Sequence, residues 1–367
     1  MHRSRVMPRG LRNEKAMNNV DENNDHLTQP HASRRHLPAW ARGVIAALIV
    51  GASIWFLVVP QFSNVEESFA AIKRLSVPLV VAAFVLEILS LLSYSALTGV
   101  VIGWRRLRYR TLMRIDLADL AVNHTAPGGG AVAGAVRFRL FVAEGISEGD
   151  AAVAATVQIS ISNLALALLF LIGVALTLAR IQGDPKNYIV AGLVVLVLLV
   201  GTIAVVWALM LRTARVVAIA RTIGRRIPFL GEERSGRLVE SFARSLSHLG
   251  QDRRRLWSAV VSAAGNWVFD AASLWVMLAA LGQPIGLGPL LTVYGVGTLL
   301  TFLPLTPGGL GIVEGVMVPA LIGFGVPHSA ALLGVIGWRL FEYWLPIPVG
   351  GIAYASLRFS GSSNRKV

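Results

Sequence analysis

Apolar residues in this chain arrive in unbroken blocks of 18 residues and more, long enough as helices to cross about 30 Å of hydrocarbon. No water-soluble fold has a use for several such blocks. A hydrophobic share of 54% and a mean hydropathy of +0.63 over 367 residues exclude a disordered or fibrous chain as well. The fold class is therefore an all-α polytopic membrane protein. With no Cys in the sequence, disulfides, a thiolate nucleophile, an iron–sulfur cluster and a Cys-based zinc site are all excluded. The formal net charge of +14 is read first as topology and contact with anionic headgroups, and no nucleic-acid partner is expected.

Residues 1–38 are polar and without apolar period, and read as a disordered tail. Six crossings follow: Gly43 to Pro60, Val77 to Gly103, about Asp150 to Ala179, Asn187 to Leu211, Trp257 to Leu281 and Ser329 to Leu357. Together with what lies between, they make a membrane domain over 39–358, with a polar tail at 359–367. Two further apolar stretches, Thr111 to Ala143 and Gly286 to Gly325, are interrupted by A-P-G-G-G (126–130) and L-T-P-G-G-L-G (305–311).

Short Lys- and Arg-rich loops stay in the cytoplasm, and this rule decides how the interrupted stretches thread. As single crossings they would put the basic 212–256 loop, with its eleven Arg, outside. As re-entrant hairpins, each entering and returning on one side, they place 29 of the 34 Lys and Arg inside and leave only Lys73, Arg74, Arg180 and Lys186 outside, with Arg339 in the membrane. Both termini are then cytoplasmic, in a cell membrane. The competing reading is an eight-crossing bundle with two Pro-Gly kinks. The 212–256 loop itself is a solvated topology-setting loop or a basic amphipathic helix on headgroups.

Sliding the chain on itself by 180 positions superposes Pro127-Gly128-Gly129 on Pro307-Gly308-Gly309, and Gly145-Ile146-Ser147 on Gly325-Val326-Pro327. It also lays Glu87 within one helical turn of Asp270. The repeat unit is helix, hairpin, helix, at about 77–180 and 257–360. Three crossings separate the hairpins, an odd number, so the units face opposite ways. Inverted-topology repeats with broken helices at their interface are transporter architecture.

A helix broken by P-G-G leaves backbone groups in the membrane that lipid cannot satisfy. The helix that restarts presents a positive N-terminus, suited to phosphate, unless the glycines serve only close helix packing. Around the breaks lie Glu87, Asp116, Asp119, His124, Arg137, Asp270, Glu314, Arg339 and Glu342, each costing about 2.5 to 3.5 kcal/mol at a helix centre. Arg339 and Glu342 share a helix face and are either an ion pair or a substrate site. Glu314 complements its helix dipole or orients Arg339. Asp116 and Asp119 are expected near the cytoplasmic headgroups, where charge costs little. Arg137 and Arg139 either bind a lipid phosphate or snorkel. No H-E-x-x-H, G-x-S-x-G, G-x-x-x-x-G-K-[ST] or D-x-D motif is present, so no enzyme, metal or cofactor is expected.

The A-P-G-G-G break with Arg137, the run L-P-L-T-P-G-G-L-G-I-V-E-G (303–315), and G-W-R-L-F-E-Y-W (337–344) resemble the lysyl-phosphatidylglycerol synthase transmembrane-region family, the flippase-like membrane domain. The likeness covers about residues 42–358. It implies transfer of a lipid between leaflets, with an anionic phospholipid or a polyprenyl-linked lipid as the partner. The positions matching its motifs are Pro127, Gly128 and Arg137, then Pro307, Gly308, Gly309, Gly311, Glu314 and Arg339. The substrate site expected from motifs and breaks together adds Gly129 and Glu342, with Glu87, His124 and Asp270 in support. No soluble aminoacyl-transferase domain stands in these 367 residues, so lysine transfer is not implied. An anion channel or ion-coupled transporter, and a membrane glycosyl- or phospho-transferase, are the alternatives.

Overall fold

The computed structural model describes residues 75–126, 129–179, 252–302 and 306–363, with positions 215, 217–219, 221–222 and 240 besides. Among these residues every regular element is helical. The elements are α1 (Val77–Ile102), α2 (Tyr109–Thr125), α3 (Gly129–Ala143), α4 (Glu148–Leu178), α5 (Arg253–Ala280) and α6 (Leu287–Leu300). A 3₁₀ turn (Pro307–Gly309), α7 (Ile312–Gly323), α8 (His328–Arg339), a π-helical turn (Leu340–Trp344) and α9 (Pro346–Ser363) complete the order. The tail, the crossings Gly43 to Pro60 and Asn187 to Leu211, nearly all of the 212–256 loop, and Pro127 and Gly128 lie outside the described residues.

Among the described residues three helices are long and apolar enough to cross a membrane: α1, α4 and α5. Their ends follow from local chemistry. Pro78 sits in the first turn of α1, where its missing N–H costs nothing, and Gly103 ends the helix at φ +101°. Ser147 caps α4 by accepting from the Asp150 N–H, with Glu148 and Asp150 complementing the helix dipole. The Asp252 carboxylate likewise accepts from the N–H groups of Arg254 and Arg255 at the head of α5. Arg253 to Arg255 thus belong to α5 rather than to a loop.

The four helices of the interrupted stretches are shorter. They run to 17, 15, 14 and 12 residues for α2, α3, α6 and α7. At about 1.5 Å per residue even the longest reaches only about 25 Å. The predicted Ser329 to Leu357 crossing is helical throughout but carries a π turn at Leu340–Trp344, where the Leu345 N–H reaches back five residues to the Leu340 carbonyl. Single π turns inside helices recur at functional sites.

Elements 180 positions apart correspond: α1 with α5, α2 with α6, α3 with the 3₁₀ turn and α7, α4 with α8 to α9. The turns after α3 and α7 are the same turn. Gly145 and Gly325 have φ +87° and +91°, and each N–H bonds three residues back, to Val142 and Ile322. The next N–H groups, of Ile146 and Val326, bond five back to Phe141 and Leu321. This is the glycine-terminated helix end that satisfies the last carbonyls.

Contacts also pair reciprocally: α2 packs on α9, and α6 on α4. Glycine makes both approaches close. A Cβ on Gly350 would stand 2.1 Å from the Leu117 carbonyl oxygen, and one on Gly173 2.6 Å from the Leu291 Cβ. Between the pairs, α1 and α5 run antiparallel along their whole length. The rungs are Ser76 N–H to the Ala280 carbonyl (3.0 Å), Ser273 Oγ to the Ala83 carbonyl (3.0 Å), Asn266 Nδ2 to Ser90 Oγ (2.8 Å) and Arg255 Nε to the Val100 carbonyl (2.9 Å).

Candidate functional site

A cavity of about 720 Å³ opens among these helices, a size that suits a small ligand or a headgroup. Its polar lining includes Glu87, Asp119, His124, Arg137, Asp270, Arg339 and Glu342, seven side chains singled out from sequence. Gly129 and Gly308, one from each break, line it too. Pro307, Gly309, Gly311 and Glu314 are buried and do not line the cavity.

The first charged cluster belongs to the α2–α3 hairpin. Arg137 is 1% exposed, and its Nη2 donates to Asp116, which has no exposed surface. Nη1 donates to the Tyr94 hydroxyl at 2.9 Å, lies 3.7 Å from Asp119, and the guanidinium stands 5.0 Å over the Tyr94 ring. Thr98 Oγ1 donates across both Asp116 oxygens at 3.0 Å. Asp116 and Asp119, expected near headgroups where charge costs little, are instead buried on the face of α2 that meets α3, where Arg137 supplies their counter-charge. The structure also separates the two arginines, since Arg139 is exposed. Arg339 is consequently not the one embedded cation.

The second cluster ties the two halves together. Arg339, 2% exposed, donates from Nε to Glu314 (2.6 Å), from Nη1 to Glu342 (2.8 Å) and from Nη2 to the Gly308 carbonyl (3.1 Å). Its guanidinium stands 4.5 Å over the Tyr343 ring. The other Glu314 oxygen accepts from the Gly311 N–H at 2.6 Å, so both roles expected of Glu314 are filled at once. The positive end of α7 is accordingly occupied by a carboxylate of its own helix, and is not open for phosphate.

Tyr343 joins this break to the other hairpin. Its hydroxyl proton is shared between the carbonyls of His124 (2.7 Å) and Pro307 (3.1 Å), and its ring stacks on His124 at 4.6 Å. His124 Nδ1–H donates to the Tyr343 carbonyl at 3.1 Å, which turns Nε2 toward Glu342, 3.8 Å away. The contact requires glycine at 308: φ is +54°, and a Cβ would lie 2.5 Å from the Tyr343 ring.

The third group is Glu87 on α1 beside Asp270 on α5. Asp270 accepts from Trp338 Nε1 at 2.6 Å and from the Tyr294 hydroxyl at 2.8 Å. Sequence reasoning missed Tyr94, Thr98, Tyr294, Trp338 and Tyr343, uncharged groups that hold the charged ones. Tyr343 and Trp338 stand in the G-W-R-L-F-E-Y-W motif and could have been found there.

Five of the eight buried side-chain atoms that lack a hydrogen-bond partner among the described residues belong to residues lining this cavity: Glu87 Oε2, Asp119 Oδ1, Arg137 Nε, Thr298 Oγ1 and Thr306 Oγ1. Buried polar atoms are nearly always partnered, so unused capacity gathered on the residues of one cavity sets it apart from the rest of the interior.

The model of the family described as lysylphosphatidylglycerol synthase TM region matches residues 43–350. The chain belongs to that family. Over 102 residues it is 31% identical to a UPF0104 membrane protein of Methanothermobacter thermautotrophicus, covering 28% of this chain and 29% of that one. It is 29% identical over 118 residues to a UPF0104 membrane protein of Methanocaldococcus jannaschii, covering 31% and 34%. A Pyrococcus horikoshii protein of the same description is 26% identical over 114 residues, with the same coverage. The chain thus aligns with about a third of the length of each relative. As a lysylphosphatidylglycerol synthase TM-region protein it is an integral membrane protein, and the motifs at Pro307 to Glu314 and Trp338 to Tyr343 lie inside the matched region and at its cavity.

Proposed function

We propose that the protein moves a phosphate-bearing lipid, an anionic phospholipid or a polyprenyl-linked lipid, between leaflets of the cell membrane without covalent chemistry. The observation that carries this reading is the polar-lined cavity of about 720 Å³ inside an apolar helical body, whose lining residues include several with buried, unpartnered polar atoms. The headgroup crosses through the cavity while the acyl or prenyl chains stay in lipid. The Arg137 Nε–H, buried and without a partner, supplies the donor for phosphate. Arg339 keeps two of its five N–H groups beyond the three already used.

The inverted repeat belongs to the same proposal. Its support is that α1 and α5, equivalent at an offset of 180, run antiparallel, and that each hairpin's first helix packs on the last helix of the other half. Helices of 12 to 17 residues that meet at glycine-rich breaks support re-entrant hairpins. Both termini are assigned to the cytoplasm by the Lys and Arg count.

Liposomes holding the purified protein should exchange a fluorescent phosphatidylglycerol between leaflets faster than protein-free liposomes, with chloride flux at background. Chloride flux without lipid exchange would transfer the assignment to an anion channel. The adjacent carboxyls of Glu87 and Asp270 are the feature that favours a transferase. Mass analysis of the recovered lipid decides, because exchange returns it unmodified.

A further inference from the structure

We propose that Glu87 and Asp270 hold one exchangeable proton between them, and that this proton crosses the membrane together with the lipid phosphate. The inference rests on the lipid-transport reading and supplies its energy source.

The two carboxyls are placed face to face by the backbone. On antiparallel α1 and α5 they fall between the rungs Ser273 to Ala83 and Asn266 to Ser90, at the same level of the helix pair. Glu87 faces Asp270, Ser273 and Glu342. Its Oε2 is buried without a hydrogen-bond partner while the residue lines the cavity.

Among the described residues no Lys, Arg or His side chain hydrogen-bonds either carboxyl of the pair. The donors to Asp270 are neutral: Trp338 from α8 and Tyr294 from α6. Of the charged groups facing the pair, Glu342 in the π turn adds a third carboxylate. Arg339 beside it bonds Glu314, Glu342 and the Gly308 carbonyl rather than Asp270 or Glu87. His124 from α2 lies beyond Glu342, with Nε2 3.8 Å from it. Arg137 is held by Asp116 and Tyr94. Two neighbouring carboxyls among neutral donors repel each other when both are ionised, so the pair binds one shared proton more tightly than either carboxyl alone.

Coupling follows from charge. A phosphate entering the cavity meets the carboxylates of Glu87, Asp119, Asp270 and Glu342 around it. Protonating the pair removes one of those charges, so proton and phosphate each bind better when the other is present. The two therefore move in the same direction, the proton entering from one mouth and leaving at the other.

The test uses the full chain in liposomes with a fluorescent phosphatidylglycerol, its leaflet distribution read by a membrane-impermeant quencher. A pH difference across the membrane should concentrate the lipid in the leaflet facing the alkaline side, by up to about tenfold per pH unit for one proton per lipid. A sodium gradient should do nothing, and Glu87→Gln and Asp270→Asn should each abolish the pH-driven accumulation. An even distribution under a pH gradient, accumulation driven by sodium, or accumulation that survives Glu87→Gln would overturn the proposal. Should no lipid exchange in any condition, the transport reading has failed and infrared spectroscopy still judges the pair. A protonated-carboxyl carbonyl band at neutral pH, lost in both Glu87→Gln and Asp270→Asn, is the expected result, and its absence in the unsubstituted protein refutes the shared proton.

Discussion

Arg339→Ala is expected to unfold at a markedly lower temperature and to lose lipid exchange. The substitution strips the counter-charge from buried Glu314 and half-buried Glu342, and the donor from the buried Gly308 carbonyl. Removing one partner of a buried ion pair costs about 3 to 5 kcal/mol, because the remaining charge is left uncompensated. Arg339→Lys separates stability from transport. Lysine carries the charge as a point on a flexible stem and cannot span three partners that the planar guanidinium holds together. The Lys variant should fold with a smaller loss of thermal stability, yet exchange lipid about 10- to 100-fold more slowly, the worth of one charge-assisted hydrogen bond of about 1.5 to 3 kcal/mol. Thermal unfolding in detergent and leaflet exchange in liposomes read the two effects. If Arg339→Lys exchanges lipid normally while Arg339→Ala merely unfolds, Arg339 is a structural ion-pair member and takes no part in transport.

The second large effect is expected at Arg137. Arg137→Gln leaves Asp116 charged with no exposed surface, and should destabilise by about 3 to 5 kcal/mol for the same reason. Adding Asp116→Asn removes the orphaned charge. The double variant should recover part of the loss, with a coupling of about 0.5 to 3 kcal/mol between the two sites. Exchange should remain lost in the double variant, because the unpartnered Nε–H of this cavity-lining arginine is gone in both. Recovery of exchange along with stability would show that Arg137 serves only to neutralise Asp116.

How far the sequence reaches is clear at particular residues. The spans of α1, α4 and α5 follow from apolar length, since only a helix satisfies its own backbone in lipid. The Gly145 and Gly325 turns are legible as well, because positive φ demands glycine and the 180-residue offset pairs them. The meeting of Asp116 with Arg137 is not. Residues 21 apart on two helices of a hairpin touch only at one hairpin register, which the Pro127 and Gly128 break does not encode locally. The capping of α7 by Glu314 is half legible: an acidic residue in the first turn is expected, but its second bond, to Arg339, spans 25 positions. The π turn at Leu340–Trp344 is half legible: Pro346 and Pro348 just beyond it mark an interruption of the helix ladder, but not of which kind. What sequence pattern supplies is periodicity and breaks, whereas partners across the bundle depend on packing.

Because the chain has no cysteine, a single introduced thiol can block the cavity and nothing else. Gly134 on α3 lines the cavity, and a Cβ there meets nothing within 4 Å. Gly149, exposed in the first turn of α4 and equally open, is the comparison site. Gly134→Cys in liposomes should exchange lipid before treatment and stop once a bulky thiol reagent is attached, while Gly149→Cys carries the same label with no loss. Undiminished exchange through a fully labelled Gly134→Cys protein would mean that lipid does not pass through this cavity.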